Sequence, residues 1–315
     1  MIPFAFIFPG QGSQLVGMLT ELAEENMQIE ATFREASEVL DFDLWKLVQD
    51  GPNEKLNKTW NTQPALLASS VAIYRVWQSK GGRQPYIMAG HSLGEYSALV
   101  CSGVLDFIDA IKLVELRGKL MQEAVPEGQG AMYAVLGLED KYLQKICKDS
   151  SYNQVVSLVS FNSPGQAVIA GHKEAVKRAI LACEKAHAKL IIPLSITVPS
   201  HCSLMKPAAK KLAIALKFIT FNTPIVPVIN NVDVKCEKKA KAIRYALERQ
   251  LYSPVRWTET VRFMAMLGIK ELFEIGPGKV LTNFTKRITN SLSATTVNDP
   301  VSLKKALLKT IREKL

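Results

Sequence analysis

The first 126 residues alternate short apolar runs with longer segments in which apolar residues recur at helical spacing. The apolar runs at 4–8 and 86–89 predict strands, and the helical patterns cover 31–40 and a segment that starts at Pro64. Strands that alternate with helices in this way predict a mainly parallel sheet covered by helices.

The middle of the chain follows a different pattern. The segments 131–138, 139–149, 154–160, 166–171, 172–186 and 189–194 are typical of strand, helix, strand, strand, helix and strand. This βαββαβ order is that of a ferredoxin-like unit, and turn-rich segments flank it on both sides. We therefore predict an α/β protein with a large subdomain of residues 1–126 and 198–315 and an inserted small subdomain of residues 127–197.

A glycine-rich loop, Pro-Gly-Gln-Gly-Ser-Gln, follows the first predicted strand. It fails the dinucleotide fingerprint because Leu15 stands where the third glycine is needed for close packing. A second glycine loop at 276–280 has neither the spacing nor the hydroxyl of a P-loop. These motifs therefore give no phosphate site, and a plain strand-to-helix turn remains open for the first loop.

The sequence Gly90-His91-Ser92-Leu93-Gly94 follows an apolar strand and precedes a helical pattern. This is the context of a G-x-S-x-G nucleophile elbow, whose glycines flank the serine because the turn is too tight for side chains. The pattern predicts Ser92 as a nucleophile and the backbone N–H of Leu93 as an oxyanion donor. The alternative is a turn that merely contains a serine.

A serine nucleophile needs a base, and the chain has four histidines. His91 adjoins the serine on the elbow and should point elsewhere, while His172 and His187 lie at the two ends of a predicted helix, where exposed polar residues are common. His201 lies in a loop between a strand and a helix, a usual place for a catalytic group. Elimination favours His201, and no acidic residue stands out as its partner.

Arg117 lies on the apolar face of a predicted helix over 106–123, among Ala110, Leu113, Val114 and Met121. A guanidinium in this position requires an anionic partner. An internal ion pair or a snorkelling side chain would satisfy it. Beside a nucleophilic serine, the alternative is a planar fork that binds a substrate carboxylate.

The charge of the chain narrows the choice of partners. The 315 residues include 39 Lys+Arg and 29 Asp+Glu, a net charge of +10 that suits nucleic acid, an anionic membrane surface or an acidic protein. The basic clusters at 235–244 and 304–314 lack the interleaved aromatic residues of a single-strand binder. We expect an acidic protein partner and neither nucleic acid nor membrane binding.

Cysteine usage and hydropathy predict the compartment. The five cysteines form no C-x-x-C pair, which argues against a disulfide framework or a zinc site. No apolar run approaches the roughly 20 residues that span a bilayer, and the N-terminal apolar stretch lacks the basic flank of a signal peptide. We expect a soluble, cytoplasmic protein without a metal.

Several motifs occur together in one order, with Arg117 between the second and the third: FPGQGSQ, GHSLGEYSALV, FNSPGQAVIAG, VPSHCSLM, NNVDV, QLYSPVRW and EIGPGKVL. In this combination the chain closely resembles the malonyl-CoA:acyl carrier protein transacylases of dissociated fatty-acid synthesis. The resemblance covers essentially the whole chain. It implies a large α/β-hydrolase-like subdomain with a parallel sheet and a small ferredoxin-like subdomain.

The resemblance also implies roles for eight residues. These are Ser92 as the acylated nucleophile, His201 as the base, Gln11 and Leu93 in the oxyanion hole, Arg117 on the malonyl carboxylate, the Gln250 backbone carbonyl orienting His201, and Gln63 and Asn162 lining the cleft.

The implied reaction is ping-pong transfer of malonyl from malonyl-CoA to the phosphopantetheine thiol of holo acyl carrier protein. The carrier would be acidic and transiently bound, the enzyme a monomer, and no cofactor is implied. A serine hydrolase or thioesterase would share the elbow but needs no cation on an apolar face, so Arg117 argues against it. A non-catalytic carrier-binding scaffold would suit the positive charge but not the set of Ser92, His201 and Arg117.

Overall fold

The computed structural model of this chain describes residues 2–195 and 198–311. The strands are β1 Phe4–Phe8, β2 Ile87–Gly90, β3 Gly130–Leu136, β4 Val156–Ser163, β5 Gln166–His172, β6 Leu190–Pro193, β7 Val228–Ile229, β8 Glu271–Ile275 and β9 Ser293–Val297. The helices are α1 Thr20–Glu25, α2 Gln28–Ser37, α3 Leu44–Asp50, α4 Asn53–Leu56, α5 Thr59–Ser79, α6 Gly94–Cys101, α7 Phe107–Ala124, α8 Asp140–Ser151, α9 Lys173–Lys185, α10 Lys206–Lys217, α11 Ala240–Gln250, α12 Trp257–Met266, α13 Val280–Ile288 and α14 Pro300–Ile311.

The larger sheet is parallel and has the strand order β7-β2-β1-β8-β9. Alternate residues of β1 face opposite sides: Phe6 packs into the core that includes α5 and α7, whereas Ile7 packs into the core that includes α12 and α13. Because both faces are covered, all five residues of β1 are buried and the strand is apolar throughout.

The smaller sheet is antiparallel and has the order β4-β5-β3-β6. Its chain order is βαββαβ, with α8 and α9 packed on one face through residues such as Ile146 and Val176. The predicted fold class, a parallel α/β sheet with a ferredoxin-like insertion, is confirmed. The boundaries at 127 and 197 stay a prediction, and residue 197 lies outside the described residues.

The two sheets are joined at β4. The backbone of Val255 donates to the carbonyl of Val159 (3.0 Å) and accepts from the N–H of Phe161 (2.9 Å). Strand β4 also contacts α12 and α13 of the larger part. These contacts hold the face of the small sheet opposite to α8 and α9 against the end of β2.

Several predicted element boundaries are wrong by a few residues. The helix expected from Pro64 begins at Thr59, because side-chain hydrogen bonds from Asn61 to Lys55 and from Thr62 to Leu56 fix its first turn. The predicted strand at 86–89 is β2, Ile87–Gly90, and the helix expected at 31–40 is α2, Gln28–Ser37.

The second glycine loop leads from β8 into α13, and the buried carboxylate of Glu274 occupies the N-terminus of that helix. It accepts the N–H groups of Leu281 (3.0 Å) and Thr282 (2.8 Å). The chain's own anion therefore satisfies donors that would otherwise attract a phosphate. No helix in the described part of the chain combines the length and apolarity needed to cross a bilayer.

Candidate active site

Ser92 lies on the sharp turn between β2 and α6, with a φ of 52°. A Cβ at Gly90 would lie 1.8 Å from the carbonyl carbon of Gly94, and a Cβ at Gly94 would lie 2.1 Å from the carbonyl oxygen of Phe8. Both positions therefore require glycine, which is the steric reason that the sequence pattern suggested. The strained serine backbone is typical of a nucleophile elbow.

His201 lies directly against the serine. The Ser92 Oγ is 2.7 Å from Nε2 of His201, and Nδ1 of His201 is 2.7 Å from the backbone carbonyl oxygen of Gln250. A carbonyl can only accept, so Nδ1 carries the proton and Nε2 accepts the serine hydroxyl. Burial, assisted by the nearby charge of Arg117, lowers the pKa of His201 to about 3. The ring is therefore a neutral acceptor.

Arg117 is fully buried on α7, and its guanidinium reaches Ser92. Nη1 donates to Oε1 of Gln63 (2.7 Å), while Nη2 donates to Oε1 of Gln250 (3.0 Å) and to Oγ of Ser92 (3.3 Å). All three acceptors are uncharged oxygen atoms. Its Nε has no hydrogen-bond partner among the described residues. A buried cation held only by neutral groups is well suited to receive a carboxylate.

The hydrogen-bond network continues from Arg117 to the opening glycine loop. Nε2 of Gln63 donates to Oγ1 of Thr59 (3.0 Å), and that hydroxyl donates to Oε1 of Gln11 (3.1 Å). Gln11 is thereby fixed beside Ser92 at the cavity wall. In the described structure neither the backbone N–H of Gln11 nor that of Leu93 donates to a protein acceptor. Both donors are therefore available for an oxyanion.

A cavity of about 240 Å³ opens onto the serine. Its apolar lining comes from side chains of β3, β4, β5 and α13, and its polar lining comes from the elbow and from Ser160 and Asn162 of β4. The lining residues include Gln11, His91, Ser92, Met132, Ala134, Val159, Ser160, Asn162, Val168, His201 and Phe284. Nε2 of His91 lies 2.9 Å from Oδ1 of Asn162. Gln63, expected to line the cleft, instead lies behind the wall and contacts Arg117.

Comparison with known proteins identifies the family. The acyl transferase domain family matches residues 5–307. The malonyl CoA-acyl carrier protein transacylase of Escherichia coli K12 is 62% identical over 307 residues, which cover 98% of this chain and 99% of that protein. The chain belongs to this family of transacylases.

Solved structures of similar proteins agree with this assignment. The acyl carrier protein S-malonyltransferase of Vibrio cholerae is 62% identical, with a TM-score of 0.94 over 96% of this chain and 99% of that one. A malonyl-transacylase solved in complex with a type II polyketide acyl carrier protein is 64% identical, with a TM-score of 0.97 over 98% of this chain and 99% of that chain. The family resemblance seen in the sequence is confirmed.

Sequence reasoning missed a buried polar layer beneath the elbow of this transacylase. Oδ1 of Asn231 accepts the N–H of Ser92 (2.7 Å), and its Nδ2 donates to the carbonyl of Gly90 (2.7 Å). Oε2 of Glu95 accepts from the backbone N–H of Asn231 (2.9 Å) and from Nε2 of Gln250 (2.8 Å). Burial raises the pKa of Glu95 to about 7 against the opposing effect of these bonds.

The missed residues were present in the motifs. Glu95 follows the elbow in GHSLGE, and Asn231 lies in NNVDV. The signal that could have found Glu95 is an acidic residue in an otherwise apolar stretch of helix, the same anomaly that marked Arg117. Asn231 gives no such signal, since a single asparagine after a short strand is ordinary in a turn.

Proposed function

We propose that this chain transfers the malonyl group of malonyl-CoA to the phosphopantetheine thiol of holo acyl carrier protein, through an ester on Ser92, and so supplies fatty-acid chain elongation. One observation carries the assignment: the serine hydroxyl contacts both a neutral histidine, at 2.7 Å, and a buried guanidinium, at 3.3 Å. The first contact suits acyl transfer and the second suits an acyl group that bears a carboxylate. The activities for which the similar proteins are named support this substrate and acceptor.

In the first half-reaction, Nε2 of His201 takes the proton of Ser92 as Oγ attacks the thioester carbonyl carbon. The N–H groups of Gln11 and Leu93 stabilise the resulting oxyanion. Nε2 then gives its proton to the CoA sulfur as the C–S bond breaks, which leaves malonyl-serine. The Gln250 carbonyl stabilises the transient imidazolium by accepting its Nδ1–H, the task of the acid in a triad.

The second half-reaction runs the same steps with a new thiol. His201 takes the proton of the phosphopantetheine thiol, and the sulfur attacks the ester carbonyl. The C–O bond to Ser92 breaks, and the proton passes from Nε2 to Oγ. Because one base serves both thiols, the enzyme needs neither a metal nor a bound cofactor for these steps.

The carrier is an acidic protein that docks transiently on the basic surface, which agrees with the net charge of +10. We place the enzyme in the cytoplasm as a monomer, with residues 127–197 as its small subdomain. Asn162 and His91 line the same cavity as the serine, where they contact the incoming acyl group or pantetheine arm.

The decisive experiment is brief exposure to malonyl-CoA without carrier, followed by mass spectrometry of the Ser92 peptide. We expect a malonyl adduct on wild type and none on Ser92→Ala. Ser97→Ala is the matched control, because Ser97 lies on α6, the helix that follows Ser92, and its hydroxyl has no partner in the described residues. Addition of holo carrier should discharge the adduct to malonyl-carrier. Discharge to free malonate instead would identify a thioesterase. A malonyl adduct on the Ser92→Ala variant would show that Ser92 is not the nucleophile.

A further inference from the structure

Glu95 is a buried acidic side chain, 2% exposed, that touches none of the reacting groups. It is linked to Arg117 by a single amide: Nη2 of Arg117 donates to Oε1 of Gln250 (3.0 Å), and Nε2 of Gln250 donates to Oε2 of Glu95 (2.8 Å). We propose that Glu95 is a positioning residue that sets substrate specificity, acting as the resident counter-charge of Arg117 through the Gln250 side chain. This inference rests on the proposed malonyl transfer.

The two charges fix the orientation of the Gln250 amide. Its Oε1 faces a guanidinium that can only donate, and its Nε2 faces a carboxylate that accepts. Rotating the amide by 180° would set donor against donor at Arg117 and acceptor against acceptor at Glu95. The same Nε2 also donates to the backbone carbonyl of Ser92 (3.0 Å). Glu95 thus holds the amide that places the guanidinium beside the nucleophile.

The charge of Glu95 also sets the strength of the carboxylate site. Without an acyl carboxylate, the buried charge of Arg117 has only neutral oxygens as direct partners. The Glu95 carboxylate lies on the far side of one of these partners, the Gln250 amide. A malonyl carboxylate that arrives at Arg117 meets a cation that Glu95 has already partly neutralised. Removal of the Glu95 charge should therefore strengthen the hold on a carboxylate, while an acetyl group, which has none, gains nothing.

Glu95→Gln isolates this effect. The two donors to Glu95 converge on the same oxygen, so a glutamine can present its Oε1 there and keep both hydrogen bonds. Only the charge is lost. Gln250→Met is the complementary change: it removes the amide link and leaves the Glu95 carboxylate and the backbone carbonyl that accepts from His201.

The measurement is kcat/KM for acylation of Ser92 by malonyl-CoA and by acetyl-CoA at pH 8, where Glu95, with a pKa of about 7, is mostly ionised. For Glu95→Gln we expect the malonyl-to-acetyl ratio to rise roughly 3- to 30-fold, with tighter inhibition by free malonate. For Gln250→Met we expect the ratio to fall roughly tenfold, because the guanidinium loses its positioning. In an Arg117→Ala background, Glu95→Gln should leave the ratio unchanged, since its effect passes through Arg117.

Asn231→Ala is the control for a merely structural role. Asn231 anchors the elbow but its side chain does not reach Arg117, so its loss should lower both acylation rates by the same factor. If Glu95→Gln also lowers the malonyl and acetyl acylation rates by the same factor, the proposal is overturned. It is likewise overturned if Glu95→Gln changes the malonyl-to-acetyl ratio in the Arg117→Ala background. If Glu95→Gln does not fold, an unchanged ratio in Gln250→Met overturns it. A wild type with no malonyl preference would instead refute the proposed function.

Discussion

Nη2 of Arg117 lies 3.3 Å from Oγ of Ser92, so the cation and the proposed nucleophile are direct neighbours. In a malonyl ester the carboxylate is separated from the ester carbonyl by one methylene group. The charge that recognises the acyl group must therefore lie close to the atom that carries it. The fully buried side chain of Arg117 meets that requirement.

Replacement of His201 should impair both half-reactions. We expect His201→Ala to slow acylation by malonyl-CoA and transfer to the carrier by roughly 10²- to 10⁴-fold each, because the same Nε2 moves the proton in both. Rapid-quench measurements of the two steps check this. His187→Ala is the matched control, since His187 is an exposed residue just after the end of α9, and it should retain both rates. Loss of only one step would contradict a shared base.

The acid limb of the rate profile should lie well below the ordinary histidine pKa. Burial, then the charge of Arg117, lowers the pKa of His201 to about 3, so the ring stays neutral as the pH falls through 6.5. We expect kcat/KM for acylation by acetyl-CoA, which does not respond to the Glu95 charge, to remain nearly constant from pH 8 down to about 5. In Arg117→Ala a positive neighbour is lost, the pKa rises, and the limb moves to higher pH. A wild-type limb near 6.5 would show that His201 is not desolvated in solution.

Salt should slow the second half-reaction more than the first. The chain carries a net charge of +10 and the carrier of the proposed function is acidic, so their encounter is electrostatically steered and is screened by added salt. Discharge of malonyl-enzyme at increasing NaCl concentration measures this effect. Pantetheine, which has the same thiol without the acidic protein, is the control acceptor and should be insensitive. Equal salt dependence with both acceptors would show that the encounter with the carrier is not electrostatically steered.

Local sequence was sufficient to predict the elbow. The glycines at 90 and 94 are required by contacts within one turn and with the neighbouring β1. The five-residue pattern is therefore enough to predict the conformation of the turn. Arg117 was visible for a similar reason, because a charged residue within an apolar helical stripe is an anomaly that periodicity reveals. The fold class followed from the order of the elements alone.

The supporting groups could not be predicted because they come from distant parts of the chain. Asn231 reaches the N–H of Ser92 across 139 positions, since β7 pairs with β2 and places the following turn below the elbow. Thr59 joins Gln11 to Gln63 only because α5 begins before its proline. Contacts of this kind depend on tertiary packing, and they cannot be predicted from the periodicity of the sequence.

Arg117 provides the sharpest test of the carboxylate site. Two charge-assisted hydrogen bonds of about 1.5 to 3 kcal/mol each would be lost in Arg117→Ala, so malonyl transfer should fall roughly 10²- to 10⁴-fold. Acetyl transfer should be maintained or improved, because an acetyl group leaves the buried guanidinium without a carboxylate partner and the variant has no such group. The malonyl-to-acetyl preference should therefore collapse or invert.

Arg117→Lys is the matched variant, since it keeps the charge but lacks the planar fork. It should recover only part of the malonyl rate, because an ammonium cannot contact Gln63, Gln250 and a carboxylate with the same geometry. Malonyl and acetyl transfer are measured for the three proteins together with their melting temperatures. A variant that melts earlier yet keeps its malonyl preference would make Arg117 a structural residue, and the carboxylate would then have to bind another group of the cavity, such as His91.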